Sequence, residues 1–204
     1  MLVAEKILTK NLGCVEYLPT VEAMRSFTAK RGAATPDEIW LLEHPPVYTL
    51  GLAADPAHGP KAASGIPVVQ VERGGEVTYH GPGQLVLYTL VDLARRGIKV
   101  KQFVAILEQS VIDLLGRGER RPGAPGVYVD GAKVAALGIR VSRGCAFHGL
   151  ALNVDMDLAP FDAIDPCGYP GMRVTQTRDL GIAGNREKLG EKLADLLARK
   201  LDHA

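Results

Sequence analysis

Val127-Tyr128-Val129-Asp130-Gly131-Ala132-Lys133-Val134-Ala135-Ala136-Leu137-Gly138-Ile139-Arg140-Val141 is the stretch that decides the fold. Two β-rich runs, Val127 to Val129 and Val134 to Val141, flank Asp130-Gly131, a dipeptide whose ease at positive φ suits the two-residue turn of a β-hairpin. The stretch predicts two antiparallel strands, with Lys133 just past the turn. Working outward, further short β-rich runs lie at Ile39 to Leu42, Val47 to Leu50, Val68 to Val71, Leu85 to Val91 and Phe147 to Val154. They do not alternate regularly with long helices, which favours a mixed or antiparallel α+β sheet over a doubly wound Rossmann arrangement.

Three helical patterns accompany the strands. Val100, Phe103, Val104, Leu107, Val111, Leu114 and Leu115 share one helical face, predicting a helix over 100–116 that Gly116 and Gly118 end. Leu189, Leu193, Leu196, Leu197 and Leu201 predict a closing helix with Asn185 as N-cap. A weaker pattern runs from about Val21 to Lys30, after Thr20. No repeat, low-complexity tract or linker interrupts the chain, so its 204 residues are expected to form one domain over 1–204.

The composition narrows the function. A hydrophobic fraction of 47% with 23% charged residues is that of a globular protein, and a formal net charge of +1 without a run of five like charges gives no reason to expect affinity for nucleic acid or an anionic membrane. No apolar run approaches the roughly 20 residues of a membrane span. Met1 to Lys10 mixes charged with apolar residues and lacks a cleavage site, so no export signal is expected. Cys14, Cys145 and Cys167 are odd in number and far apart, with no Cys-x-x-Cys spacing. Reduced thiols in a cytoplasmic protein fit better than a disulfide framework or a zinc site. Metal is not expected.

Phosphate-loop, serine-hydrolase and zincin motifs are all missing, and Gly81-Pro82-Gly83 lacks the third glycine of a dinucleotide-binding turn. Three dense segments remain. In Arg73-Gly74-Gly75-Glu76-Val77-Thr78-Tyr79-His80-Gly81-Pro82-Gly83-Gln84, paired glycines permit close backbone approach, and Tyr79 and His80 offer an amphipathic wall. A glycine-rich turn that merely connects strands is the plainer reading, with His80 structural rather than catalytic. In Gly131 to Arg140, Lys133 stands alone among small apolar residues. It is a candidate for burial, set against an edge-strand lysine in water. In Asp165-Pro166-Cys167-Gly168-Tyr169-Pro170-Gly171, prolines and glycines hold a thiol on a rigid turn that a substrate can reach, making Cys167 the best nucleophile candidate. Cys145, beside the basic turn Arg143-Gly144, is the alternative.

Together the segments resemble the lipoyl(octanoyl) transferase family. The likeness begins at Leu42-Glu43-His44-Pro45-Pro46-Val47-Tyr48-Thr49-Leu50-Gly51, passes through the Arg73 to Gln84 loop, and runs from Pro125 through Phe147-His148-Gly149-Leu150-Ala151-Leu152-Asn153 to Pro166-Cys167-Gly168. Pro170 and Asp165 depart from it, standing where alanine and asparagine are common. The resemblance implies a fold like that of biotin and lipoate protein ligases, with a mixed main sheet, a smaller sheet and packed helices around an acyl tunnel. It implies Cys167 as acyl-thioester nucleophile, Lys133 as its acid/base partner, and a pocket lined by Arg73, Gly74, Gly75, Glu76, Val77, Thr78, Tyr79, His80, Ala136, Leu137, Gly138, Gly149, Leu150 and Ala151.

The activity so implied is acyl transfer. An octanoyl group, or a lipoyl group, moves from the phosphopantetheine of acyl carrier protein to a lysine of a lipoyl domain in 2-oxoacid dehydrogenase complexes or of the glycine cleavage H protein. A thioester donor is already activated, so neither ATP nor metal is implied; a monomer is expected. The nearest rival is an ATP-dependent lipoate or biotin ligase, in which Lys133 would bind an acyl-adenylate and no thiol is required. A non-catalytic acyl-chain or carrier-binding module is the more distant one.

Overall fold

The computed structural model describes residues 7–61 and 65–204, apart from the side chains of Pro56 and Cys167. The main sheet has six strands in the order β1 (Leu8–Cys14), β2 (Glu38–Glu43), β6 (Gln84–Asp92), β9 (Cys145–Asn153), β8 (Ala132–Ser142) and β7 (Gly126–Val129). β1 runs parallel to β2, and the other neighbours are antiparallel. A smaller sheet orders β4 (Val68–Gln70), β3 (Val47–Leu50) and β5 (Val77–His80), with β3 parallel to β4 and antiparallel to β5. This is the mixed α+β architecture the sequence implied.

Period-two alternation gives the main sheet two buried faces. Leu85 and Leu87 of β6, with Leu150 and Leu152 of β9, pack under α3 (Val100–Leu115) and α4 (Arg186–Asp202), against Phe103, Leu107, Leu193 and Leu197. Val86 and Tyr88 point the other way, with Phe147 and Ala151, toward Val21 and Met24 of α1 (Tyr17–Lys30). The hairpin forms as predicted: β7 and β8 are antiparallel, and Asp130 and Gly131 both take positive φ, 48° and 79°. α3 ends on left-handed Gly116, and the Asn185 side chain caps α4 by accepting from the Lys188 amide at 3.0 Å.

Four elements differ from the sequence reading, among them the short helix α2 (Leu93–Arg96), a single turn too brief to show a period. α1 begins at Tyr17 rather than near Val21, because Pro19 falls in the first turn, where its missing N–H opens no hydrogen bond. β1 has no alternating pattern to reveal it, being an outermost strand exposed along most of its length. β5 lies inside the segment read as a loop. Residues 1–6 of the Met1 to Lys10 segment are outside the described residues. Among the described residues, no helix is long and apolar enough to cross a membrane.

A buried ionic knot ties the edges together. Asp37 is 1% exposed and accepts from Arg31 at 2.6 Å, Arg95 at 2.8 Å, Arg96 at 2.6 Å and the Asp92 amide at 2.9 Å. Arg96 reaches on to the Leu201 carbonyl of α4 at 3.1 Å. Burial pushes the Asp37 carboxyl up, but the Asp92 amide and the Arg96 and Arg31 guanidiniums outweigh it and hold it below the usual carboxylate range. Such stability is present above the unfolded carboxylate pKa and is lost as pH falls through the lower folded one. Asp37→Ala leaves buried guanidiniums uncompensated and is expected to destabilise the fold by about 3–5 kcal/mol, measurable by urea unfolding. A loss under 1 kcal/mol would show the knot to be dispensable.

Candidate active site

The site begins with four small residues. Ala136 and Gly138 of β8 pair with Ala151 and Gly149 of β9, which pair in turn with Val86 and Tyr88 of β6. Carrying a methyl group or less, they hollow the sheet face. The 73–76 loop then lies close across it, with the Gly74 amide donating to the Ile139 carbonyl at 2.9 Å. Arg73 braces the loop from within. Its guanidinium donates to the carbonyls of Gly74 at 3.0 Å, Thr49 at 2.8 Å and Glu76 at 2.9 Å, and to the Thr49 hydroxyl at 2.8 Å.

Between loop and sheet lies a narrow slot with a cavity volume of about 40 Å³. Arg73, Gly75, Glu76, Val77, Thr78, His80, Ala136, Leu137, Gly138, Gly149, Leu150 and Ala151 line it, joined by Tyr17, Val86, Tyr88 and His148. Two residues singled out in the sequence stand elsewhere. Gly74 faces a neighbouring basin, and the Tyr79 ring packs in a separate cluster with Tyr48 and Phe161, because residue 79 sits on a strand and turns opposite to its neighbours. Tyr17, Tyr88 and His148 were not assigned a site role from sequence: Tyr17 comes from a helix start that the pattern missed, and His148 differs from an ordinary core histidine only in three dimensions.

The imidazoles here are uncharged at physiological pH. Burial pulls His44 down to about 4; burial, then the neighbouring His44, pulls His80 down to about 3; burial, then the Arg73 charge, pulls His148 down to about 4. Tautomers follow from the partners. His44 Nδ1 meets the Val15 carbonyl at 2.7 Å, which only accepts, so Nδ1 donates and Nε2 accepts from the Tyr88 hydroxyl at 2.8 Å. Gln84 Nε2 donates to Asn153 Oδ1 at 3.0 Å, so Gln84 Oε1 accepts from His80 Nδ1 at 2.7 Å. These bonds make His80 part of a rigid wall.

The slot opens on a wider basin of about 570 Å³, which shares Gly75, Glu76, Leu137 and Gly138 with it and adds Val104, Ala124, Pro125, Gly168 and Tyr169. The turn Pro166–Gly168 stands on the rim, packed against β5. The Asp165 amide donates to the His58 carbonyl at 3.0 Å, and the Asp165 carboxylate pairs with Lys61 at 2.7 Å. A Cβ on Gly168 would lie 3.3 Å from the Glu76 carboxyl carbon. The Cys167 thiol is outside the described side chains, but its backbone is fixed at this rim.

Lys133 approaches the basin from the other side. β8 is flanked by β7 and β9, so Lys133 is not an edge lysine; it is 3% exposed. Its ammonium donates to the Pro125 carbonyl at 3.1 Å and lies 5.1 Å from the Tyr128 ring centroid. The chain leaving the Cys167 turn is stitched to it, the Lys133 amide donating to the Arg173 carbonyl at 2.8 Å and the Thr175 amide to the Lys133 carbonyl at 2.9 Å. Segments distant in sequence therefore meet at one basin. Cys14, exposed on outermost β1, and Cys145, buried at the far end of β9 from Ala151, border neither cavity. Burial, then the Asp92 charge, pushes the Cys145 thiol up, which is the wrong direction for a nucleophile. Among the described residues, no group of three His, Cys, Asp or Glu side chains is disposed to hold a metal ion.

Gly138 tests the hollow directly. A Cβ there would lie 2.7 Å from the Gly74 carbonyl oxygen and 3.1 Å from Arg73 Cδ, so Gly138→Ala must shift the loop that forms the slot wall. Substrate turnover is expected to fall by about 10²-fold with the helix content unchanged, read by kinetics beside circular dichroism. Wild-type kinetics would show that the wall is not needed.

Solved structures share the architecture. A bi-partite lipoate protein ligase from Thermoplasma acidophilum matches with a TM-score of 0.70 at 14% identity, covering 97% of this chain and 92% of that one. A biotin protein ligase from Aquifex aeolicus matches with a TM-score of 0.55 at 12% identity, covering 97% and 70%. At such identities the likeness defines the fold class alone, that of the lipoate and biotin protein ligases. Sequence goes further. Residues 16–197 match the model of the lipoyl protein ligase A/B catalytic domain. The octanoyltransferase of Aromatoleum aromaticum is 59% identical over 96% of this chain and 86% of its own, and that of Dechloromonas aromatica is 57% identical over 96% and 97%. The chain thus belongs to the lipoyl protein ligase A/B catalytic domain family and, within it, to the lipoyl(octanoyl) transferases; it is an acyltransferase.

Proposed function

We propose that the chain transfers an octanoyl or lipoyl group from the phosphopantetheine thioester of acyl carrier protein to a lysine of lipoyl domains, by way of an acyl thioester on Cys167. The observation that carries this reading is the buried Lys133 ammonium, which donates at 3.1 Å to the carbonyl of Pro125, a residue lining the basin whose rim bears the Cys167 turn. The thiolate attacks the donor carbonyl, and the phosphopantetheine thiolate departs with a proton from Lys133. The acceptor amine then attacks the Cys167 thioester and gives up a proton to Lys133, and the Cys167 thiolate leaves as an amide forms. Thioester exchange is nearly balanced, and amide formation drives the sequence forward. The hollowed slot holds the acyl chain away from water. Lipoyl domains of 2-oxoacid dehydrogenase complexes and the glycine cleavage H protein are the proposed acceptors.

Because the donor is already activated, transfer from octanoyl-carrier protein to an apo lipoyl domain is expected in nucleotide-free, magnesium-free buffer, scored by intact mass. Free octanoate should fail as a donor under the same conditions. A strict requirement for ATP would move the protein to the ligases, with Lys133 facing an acyl-adenylate.

A further inference from the structure

His148 is a slot residue whose chemistry the transfer reaction leaves unused. It occupies the middle of β9 with φ 61°, a left-handed conformation that side chains other than glycine and asparagine rarely adopt within a strand. Between the Tyr88–Gly149 and Val91–Ala146 pairs, the Thr89 hydroxyl donates to the His148 carbonyl at 2.9 Å, holding this twist in place. The imidazole is 1% exposed, with the Phe147 ring stacked on it at 5.2 Å and Tyr88 edge-on at 5.8 Å. Both of its ring nitrogens are buried with no hydrogen-bond partner among the described residues. A neutral imidazole offers one donor and one acceptor, and native interiors seldom leave either unmade.

Position gives these groups a direction. His148 lines the slot but not the basin, as does Tyr17, whose buried hydroxyl approaches Thr49 and Arg73 without a hydrogen bond of full geometry. The slot is therefore apolar along its small-residue floor and polar where Tyr17 and His148 border it, away from the basin. A saturated chain cannot satisfy those groups. Arg73 is engaged by backbone carbonyls and His148 is uncharged, so an alcohol suits the place better than a carboxylate.

We propose that His148, with Tyr17, forms a polar subsite in the part of the slot that does not border the basin, and that it binds a hydroxyl on the distal carbons of a medium-chain acyl group, making ω-hydroxyacyl thioesters substrates alongside octanoyl. This rests on the acyl-transfer reading above.

The test compares carrier-bound 8-hydroxyoctanoyl and nonanoyl groups, which have equal numbers of heavy atoms, with octanoyl as reference and a lipoyl domain as acceptor. Wild type is expected to transfer the hydroxyacyl group at least as well as nonanoyl. In His148→Phe that ratio should fall by about ten- to hundredfold, the penalty for burying an unpaired hydroxyl. His148→Asn tolerates the left-handed backbone and keeps a donor and an acceptor, so it should retain the wild-type preference, and it carries the test if the Phe variant misfolds. An unchanged ratio in His148→Phe, or a wild-type preference for nonanoyl, overturns the subsite. If octanoyl itself is not transferred, the acyl-transfer reading fails. The subsite is then judged by calorimetry with 8-hydroxyoctanoate and nonanoate on the same proteins, where equal affinities overturn it and a His148-dependent preference for the hydroxy acid upholds it.

Discussion

Cys167→Ser is expected to carry no hydroxylamine-labile octanoyl group after incubation with octanoyl-carrier protein, and its transfer to a lipoyl domain should fall to background. The two chalcogens differ in what they offer at neutral pH. A free thiol with a pKa of about 8.5 is already a few per cent thiolate, and a nearby ammonium increases that share, whereas a serine hydroxyl is essentially un-ionised. Geometry points to the same turn, because Pro166–Gly168 borders the basin lined by Pro125, whose carbonyl the Lys133 ammonium holds, while Cys14 and Cys145 border neither cavity. Cys145→Ser should accordingly form the adduct at the wild-type rate. A labile adduct persisting in Cys167→Ser would sink the assignment, and its loss in Cys145→Ser alone would move the nucleophile to β9.

The parts of this fold legible in sequence are those where local chemistry and tertiary packing agree. Asp130-Gly131 asks for positive φ at two successive residues, and the hairpin supplies it. The apolar stripe of α3 is the face that meets the main sheet, so period and burial coincide. β1 fails this condition, because an exposed outer strand parallel to β2 needs no alternation. β5 fails it differently: its four residues are buried throughout and sit between Gly75 and Gly81, so neither alternation nor length separates them from a connecting loop. For the site, the Arg73 to Gln84 loop is legible from its paired glycines, whereas the Ala136 to Gly138 and Gly149 to Ala151 runs enter through the family resemblance alone, because small residues within a strand do not by themselves announce a hollowed sheet. The polar part of the slot was not visible. Tyr17, Tyr88 and His148 lie on three different elements, and only the sheet register and the α1 crossing bring them together.

Lys133→Met is expected to leave the fold intact yet slow both alkylation of Cys167 and acyl transfer, in different proportions. Methionine can fill the volume of the lysine stem beside Gly126, where a Cβ would already lie 2.7 Å from Lys133 Cε, and it removes the donor to the Pro125 carbonyl. If the ammonium serves the thiol, its removal raises the thiol pKa, and each unit costs about tenfold in thiolate near neutrality. Iodoacetamide should then react more slowly at pH 7 and regain much of its rate as the pH is raised. Transfer should fall further, by about 10²- to 10⁴-fold, and recover less, because the departing phosphopantetheine thiol needs a proton and the attacking amine must lose one. The two pH profiles separate these duties. Superimposable alkylation profiles with slowed transfer would leave Lys133 a proton carrier without a part in activating the thiol; superimposable alkylation with unchanged transfer would remove it from the chemistry and leave it a support for Pro125 at the basin.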